Sequence, residues 1–594
     1  MMERTTIVFA VLAAILLPAT AEAGSCAPGQ HFPASFGGTV RPALAVDLNP
    51  DPDIVEVELT ALESIWTMRD GPSTAVYTYN GVIPGPTIEA KVGDRLIVHF
   101  CNDLPVETTV HWHGPSTPAD MDGSDMAQLK VQPGGTFLYD FPLLEAGTFW
   151  FHPHVRTNRQ VERGLYGVLV VRDPAEDAAL ELPTEERDHI LVFDDIHLDA
   201  KNQIIEPFSG DRTAVALEQL NGREGDTHLL NGVQRPTLTL ERRVPHRLRM
   251  LNAASSRFLR ISVPDHLMWR IGGDQGLLEA PILVRPVVPD DPVNLGKRDF
   301  VEKHGPSTLP RSGLLLTPGE RADVLIFPRE DTGTPVRIEW HDWQRGRHSV
   351  EFMDDESVVV GHNIPDGTQP MEVLADVELF GWSDAENYSP PLQLAQLEAI
   401  SPEGATVLPL VFGHTVPDWN TGAVMFFAQA PGKPFPVLTP EDVYTLGVGK
   451  TYIWEVRNLT GSHHNFHTHG FSFQHLETEL VDLDNPDNNE IIPEDFVENK
   501  DTILMPRRPG TVPGRSWSVT RLIFRTDDQG REGQIYAAGK VPTATTSGGW
   551  LVHCHILEHS ARGMMTFFQI DGRVLVDGFE SGDVSAWTSV VGMN

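Results

Sequence analysis

An alternating stretch bounded by the same two markers occurs twice in this chain and leaves little freedom in how those segments fold. In the first copy, Tyr79-Asn80-Gly81 leads to Pro86 and then to apolar residues at every second position (Ile88, Ala90, Val92; then Leu96, Val98, Phe100), ending at Asn102. In the second, Leu230-Asn231-Gly232 leads to Pro236 and then to Leu238, Leu240, Leu248 and Met250, ending at Asn252. The asparagine follows the proline by sixteen positions in both. A looser third copy runs from Gly447-Val448-Gly449-Lys450 through Tyr452, Trp454 and Val456 to Asn458. Side chains two apart on a strand share a face, so this alternation after a Gly/Pro turn predicts half-buried strands. The 51 Gly and 47 Pro agree, because both punctuate turns between short strands. The expectation is an all-β chain of three β-sandwich domains near residues 35–175, 186–372 and 404–573. Residues 373–403 read as a linker with a short helical piece.

The 594 residues carry Asp+Glu 82 against Lys+Arg 45, a formal charge of −37. A surface that acidic repels phosphate backbones and anionic lipid, which argues against nucleic acid as a partner. Residues 1–23 read as a secretory signal peptide. Arg4 lies in a short n-region, Ile7 to Leu17 is an apolar run, and Ala21-Glu22-Ala23 is a small-x-small cleavage site. That run is short for a bilayer and no other stretch reaches spanning length, so no membrane span is expected. The n-region has no twin arginine, so export of the unfolded chain is expected, to the periplasm or as a secreted protein, with any metal loaded there. Cys554 stands between two histidines. Cys26 and Cys101, in an oxidising compartment, can pair or remain two buried thiols. Residues 574–594 are a polar C-terminal tail without an assigned role.

Four His-x-His pairs stand out: His111/His113, His152/His154, His467/His469 and His553/His555. On a strand each pair points to one face and can serve one metal cluster. One such pair is ordinarily a surface or core feature, but here the contexts repeat. Gly147-Thr-Phe-Trp-Phe-His152-Pro-His154 echoes Gly548-Gly-Trp-Leu-Val-His553-Cys-His555, and Val110-His111-Trp-His113-Gly114 echoes Phe466-His467-Thr-His469-Gly470. Eight imidazoles exceed what one zinc takes. After Cys554, His559 follows at +5 and Met564 at +10, while His464 precedes His467 by three. That is the His₂Cys set with a distant methionine of an electron-transfer copper.

On these four motifs the chain resembles the multicopper oxidases, specifically the three-domain bacterial laccase-like group, over residues 40–572. The resemblance implies cupredoxin-like domains and four copper ions: one type 1, one type 2 and two type 3. On matching positions, type 1 takes His464, Cys554, His559 and, weakly, Met564. Type 2 takes His111 and His467. One type 3 copper takes His113, His152 and His555; the other takes His154, His469 and His553. The implied reaction couples one-electron oxidation of phenolic or aromatic amine donors to four-electron reduction of O₂ to water, the metal carrying the chemistry. Three residues are implied as catalytic. Cys554 links the two copper sites through backbone to His553 and His555, and His559 is the imidazole whose edge the family exposes to the donor. Asp122, in Met121-Asp122-Gly123, matches an acid that relays protons near type 2; a turn aspartate before glycine is its plain alternative.

The departures bear on the reductant. Asn465 stands where the family usually has proline. Ser560 stands where many bacterial members have a glutamate that helps protonate oxygen, and Glu558 within the motif is given no role. Cuprous oxidases carry a methionine-rich insert, plus an Asp and a Met just before the first type 1 histidine. Here those two positions are Thr460 and Ser462, and residues 373–460 contain only Met425. The missing soft ligands favour organic donors over Cu(I). The alternatives are a cuprous oxidase or copper-binding protein in copper tolerance, a copper-free export factor, and a nitrite reductase, which lacks the eight-histidine set.

Overall fold

The computed structural model describes residues 42–571, apart from residues 126, 288–311, 330–334, 344, 365–370, 382, 384, 386, 430–443, 495, 511 and 527–548. The signal peptide, Cys26 and the C-terminal tail lie outside the described residues. The fold is all-β, with three cupredoxin-like Greek-key sandwiches in sequence. In each, a parallel strand pair opens one sheet: Ile54–Trp66 beside Arg95–Asp103, Asp188–Ile196 beside His246–Asn252, and Thr406–His414 beside Thr451–Asn458. A second sheet closes each core. Val98, Phe100, Phe149 and Leu169 meet in the first; Leu248, Met250, Ile338 and Trp340 in the second; Trp454, Val456, Phe466 and Phe568 in the third.

The repeated asparagines explain the repeated pattern. Asn102, Asn252 and Asn458 are buried at strand ends. Each accepts the backbone N–H two residues on (Leu104, Ala254, Thr460) and donates to two carbonyls, Val106 and Val131, Arg257 and Leu316, and Ser462 and Pro506. A buried turn would otherwise strand those polar groups. Asn80 and Asn231 sit at φ 53 and 50 and lock the preceding turn to Thr60 and Val192 through their side-chain oxygens.

One segment corrects the sequence reading. Residues 373–380, expected in the linker, belong to the strand Glu372–Phe380 of the second sandwich, paired with Val336–His341 and Thr237–Glu241. Its acidic residues and the register shift at Ile338/Glu339 hide the alternation. Residues 387–403 contain no helix. Among the described residues, no helix is long and apolar enough to cross a membrane. Cys101 is disulfide-bonded and Cys554 is a free, buried thiol.

Candidate metal centres

Two equivalent strand pairings build the larger site. In the first sandwich His111–His113 pairs antiparallel with Gly147–His152, placing His111 opposite His152. In the third, His464–Thr468 pairs with Trp550–Cys554, placing His467 opposite His553. The two sandwiches bring these faces together, so His111 stacks on His469 at 3.8 Å and His113 on His467 at 3.7 Å between ring centroids. All eight paired histidines are buried.

The hydrogen bonds fix which nitrogen each ring offers. The Nδ1–H of His111 donates to the Asp122 carbonyl at 2.7 Å, that of His152 to Pro153 at 3.0 Å, that of His467 to Asp501 at 2.9 Å and that of His553 to Cys554 at 2.9 Å. His469 Nδ1 donates to the Asp122 carboxylate at 2.9 Å. His113 is reversed, its Nε2 meeting Asp501 Oδ1 at 3.0 Å. What remains is a set of buried nitrogens without protein partners: Nε2 of His111, His152 and His467, Nδ1 of His113, and both nitrogens of His555. Burial holds His111, His113, His152, His469, His553 and His555 well below the ordinary imidazole value, and His154 at about 4. Neutral rings with oriented lone pairs and no partner are what metal ligation requires.

Ligand atoms of His154, His469 and His553 lie within 4.8 Å of one another, as do those of His111, His113 and His152, and of His111, His467 and His469. The first group is one expected type 3 set. In the other, His113 and His152 gather with His111, while the His555 ring stands 4.9 Å from His113 and 5.5 Å from His152.

Cys554 points the opposite way from its neighbours, as strand alternation demands, into the third core. Its Sγ lies 3.5 Å from His464 Nδ1 and 3.7 Å from His559 Nδ1, and those nitrogens are 3.0 Å apart. The Nε2–H of His464 donates to Thr460 Oγ1 at 2.7 Å and that of His559 to the Leu220 carbonyl at 3.2 Å, so both Nδ1 atoms face the thiol. Burial pushes the thiol up to about 12, so a soft cation is needed to ionise it. Met564 is buried beside them, its carbonyl accepting the Cys554 N–H at 3.0 Å. This donor set fits copper.

The exposed edge expected of His559 is absent. The ring is fully buried, stacked on Phe426 at 4.2 Å. The helix Arg212–Asn221 of the middle sandwich covers it through Leu220. Arg212 lies over the rings of Phe352 and Trp419, and Asn221 exchanges two hydrogen bonds with the His348 backbone, which pins the helix down. Asn465 donates to the Pro318 carbonyl at 2.6 Å. Ser560 bonds to the Leu557 carbonyl of its own helical turn. Glu558 is buried, and burial pushes its carboxyl up to about 8.

Asp122 is buried; burial raises its carboxyl to about 8. Sequence reasoning missed its counterpart, Asp501. Burial alone would raise Asp501 too, but Arg321 and His113 outweigh it and hold the carboxyl well below its ordinary value. The middle sandwich also brings Gly319, at φ +86, against His113 and His555. A signal for that turn exists: Pro-Gly precedes a strand in each sandwich, at Gly134, Gly319 and Gly514.

A family model described as multicopper oxidase matches residues 61–176, and a second with the same description matches residues 412–573. The chain is 25% identical to the multicopper oxidase MmcO of Mycobacterium tuberculosis, over 84% of this chain and 83% of that one. It is 25% identical to a laccase of Bacillus subtilis, over 84% and 90%. A multicopper oxidase of Campylobacter jejuni, described as a metallo-oxidase, shares the fold with TM-score 0.65 at 24% identity, over 92% and 96%.

Proposed function

Given that the chain belongs to the multicopper oxidases, copper oxidoreductases that use O₂, we propose that it is a laccase-like enzyme oxidising phenolic or aromatic amine donors. The observation that carries this reading is the complete donor set: eight converging imidazoles from the first and third sandwiches, and a His₂Cys site within the third. In this reading type 1 copper takes His464, Cys554, His559 and Met564, type 2 takes His111 and His467, and the two type 3 coppers take His113/His152/His555 and His154/His469/His553. Bound copper would supply one-electron acceptance at the thiolate site and O₂ reduction at the cluster.

The chain's own residues do the rest. Cys554 is joined by backbone to His553 and His555, a short covalent path between the sites. Asp122, whose Oδ2 accepts from His469 and from the Ser124 N–H, holds and passes protons at the cluster. The domain limits 35–175, 186–372 (extended to 380 by the last strand) and 404–573, and export guided by residues 1–23, belong to the same proposal.

Organic donors are favoured because Thr460 and Ser462 supply no soft ligand and their hydroxyls already bond to His464 and His348. The covered His559 favours a second reading, a small inorganic donor such as Cu(I). In either case electrons enter through the cover rather than by contact with the imidazole edge. Oxygen uptake by the copper-loaded chain with 2,6-dimethoxyphenol and with Cu(I) separates the two. A higher kcat/KM for the phenol is expected; a clearly higher value for Cu(I) overturns the laccase-like reading.

A further inference from the structure

The middle sandwich contributes none of the assigned ligands, yet one of its side chains touches the machinery that orients them. The Arg321 guanidinium is completely buried and makes five hydrogen bonds. Nε donates to the Thr148 carbonyl of the first sandwich at 2.9 Å; two more bonds go to the Gly319 and Asp274 carbonyls of its own. The last two go to Asp501 of the third sandwich, Nη1 to Oδ1 at 2.7 Å and Nη2 to Oδ2 at 2.5 Å. A buried ion pair of this kind is a poor source of stability, because desolvation offsets the attraction; its value is fixed geometry.

That geometry acts on two rings. Asp501 Oδ1 can only accept, so the His113 nitrogen at 3.0 Å must be Nε2–H, which leaves Nδ1 as the lone-pair nitrogen. The Asp501 carbonyl holds His467 Nδ1–H at 2.9 Å, leaving Nε2. Thr502 Oγ1 lies 3.1 Å from both rings and donates to Asp501 Oδ1 at 2.9 Å. Asp122 mirrors this arrangement, its carbonyl on His111 and its carboxylate on His469. Among the described residues no Arg or Lys pairs with Asp122. Arg321 is the charged group that distinguishes the two struts; Gln275 adds a neutral donor to Asp501 Oδ2 at 3.2 Å.

We propose that Arg321 is a positioning residue of the histidine cluster: by clamping both carboxylate oxygens of Asp501 it dictates which nitrogen His113 presents to the metals. The middle sandwich thereby sets the donor geometry of a site to which it gives no ligand. This rests on the reading of the eight histidines as a copper cluster.

The test compares Arg321→Met, Asp501→Asn and Arg270→Met in the full chain, loaded with copper. Arg270 is equally buried and bidentate to Glu498 across the same pair of sandwiches, and it bonds to no histidine. Copper per chain, the near-ultraviolet absorption of paired type 3 copper, the type 2 electron paramagnetic resonance signal and the blue thiolate band are read. Arg321→Met and Asp501→Asn should lose cluster copper and the type 3 absorption while keeping the blue band. Both oxygens of Asp501 face donors, so an asparagine NH₂ must oppose either Arg321 or His113. Arg270→Met should keep every signal. Full copper with an unchanged type 3 absorption in Asp501→Asn overturns the proposal, whether or not Arg321→Met folds. Equal cluster loss in Arg270→Met also overturns it, by reducing Arg321 to a structural contact. A wild-type chain that binds no copper cluster fails before any variant is compared, and takes the underlying reading with it.

Discussion

Adding a single methyl group at Gly319 tests how tightly the middle sandwich presses on the histidine cluster. A Cβ there would stand 3.0 Å from His113 Cε1 and 3.2 Å from His555 Cδ2. His113 cannot swing freely away, because Asp501 and Thr502 hold the adjacent Nε2. The backbone sits at φ +86, where an L side chain costs about 1–2 kcal/mol. Overpacking against these rings adds about 1–3 kcal/mol. Gly514 provides the control: it follows proline in the equivalent turn of the third sandwich, at φ +73, and its added Cβ meets nothing within 4 Å. Gly514→Ala therefore carries only the backbone cost, and the difference between the variants isolates the contact. For a domain of this size that difference corresponds to about 2–12 °C in apparent Tm. Thermal unfolding and type 3 absorption of both copper-loaded variants read it out. Gly319→Ala should unfold earlier than Gly514→Ala and show a weakened or shifted type 3 absorption. Equal Tm values with an unchanged cluster spectrum would refute the claim that this turn buttresses His113 and His555.

Three further substitutions bear on the remaining parts of the site. Cys554→Ser should abolish both the blue band and oxidase turnover; a variant that stays blue removes the type 1 assignment. Asp122→Asn should slow turnover and keep its copper, because an amide oxygen can still accept from His469 while the amide can no longer hold and release a proton. Copper loss in parallel with activity would mark Asp122 as structural. Arg212→Ala removes the cation held over Phe352 and Trp419 and loosens the helix over His559. At about 1 kcal/mol, kcat/KM for a bulky phenol should rise by up to about fivefold; an unchanged value would show that the helix does not limit access.

The proposed ligand residues are legible because metal chemistry restricts such donors to His, Cys and Met at strand and turn spacings that repeat within the chain. The strand repeat was legible for a similar reason: Asn80, Asn102 and their equivalents satisfy buried turn groups that few other side chains can reach. Residues whose roles arise only from packing between sandwiches were not legible. Arg321 reads as one charge in Pro318-Gly-Glu-Arg321, and Asp501 as one in a polar stretch; only the fold brings them to His113. Leu220 is invisible for the same reason, so the family resemblance implies an open edge on His559 where a helix covers it. Glu372–Phe380 was lost because acidic residues and a register shift obscured its period.

Electron stoichiometry at the oxygen electrode tests the central claim most directly. Copper-loaded chain is given 2,6-dimethoxyphenol, and the electrons withdrawn per O₂ consumed are counted together with any peroxide released. A thiolate site wired through Cys554 to an eight-histidine cluster predicts four electrons per O₂, water as the product and no free peroxide. Two electrons per O₂ with peroxide accumulating, or no oxygen uptake by fully copper-loaded protein, would contradict it.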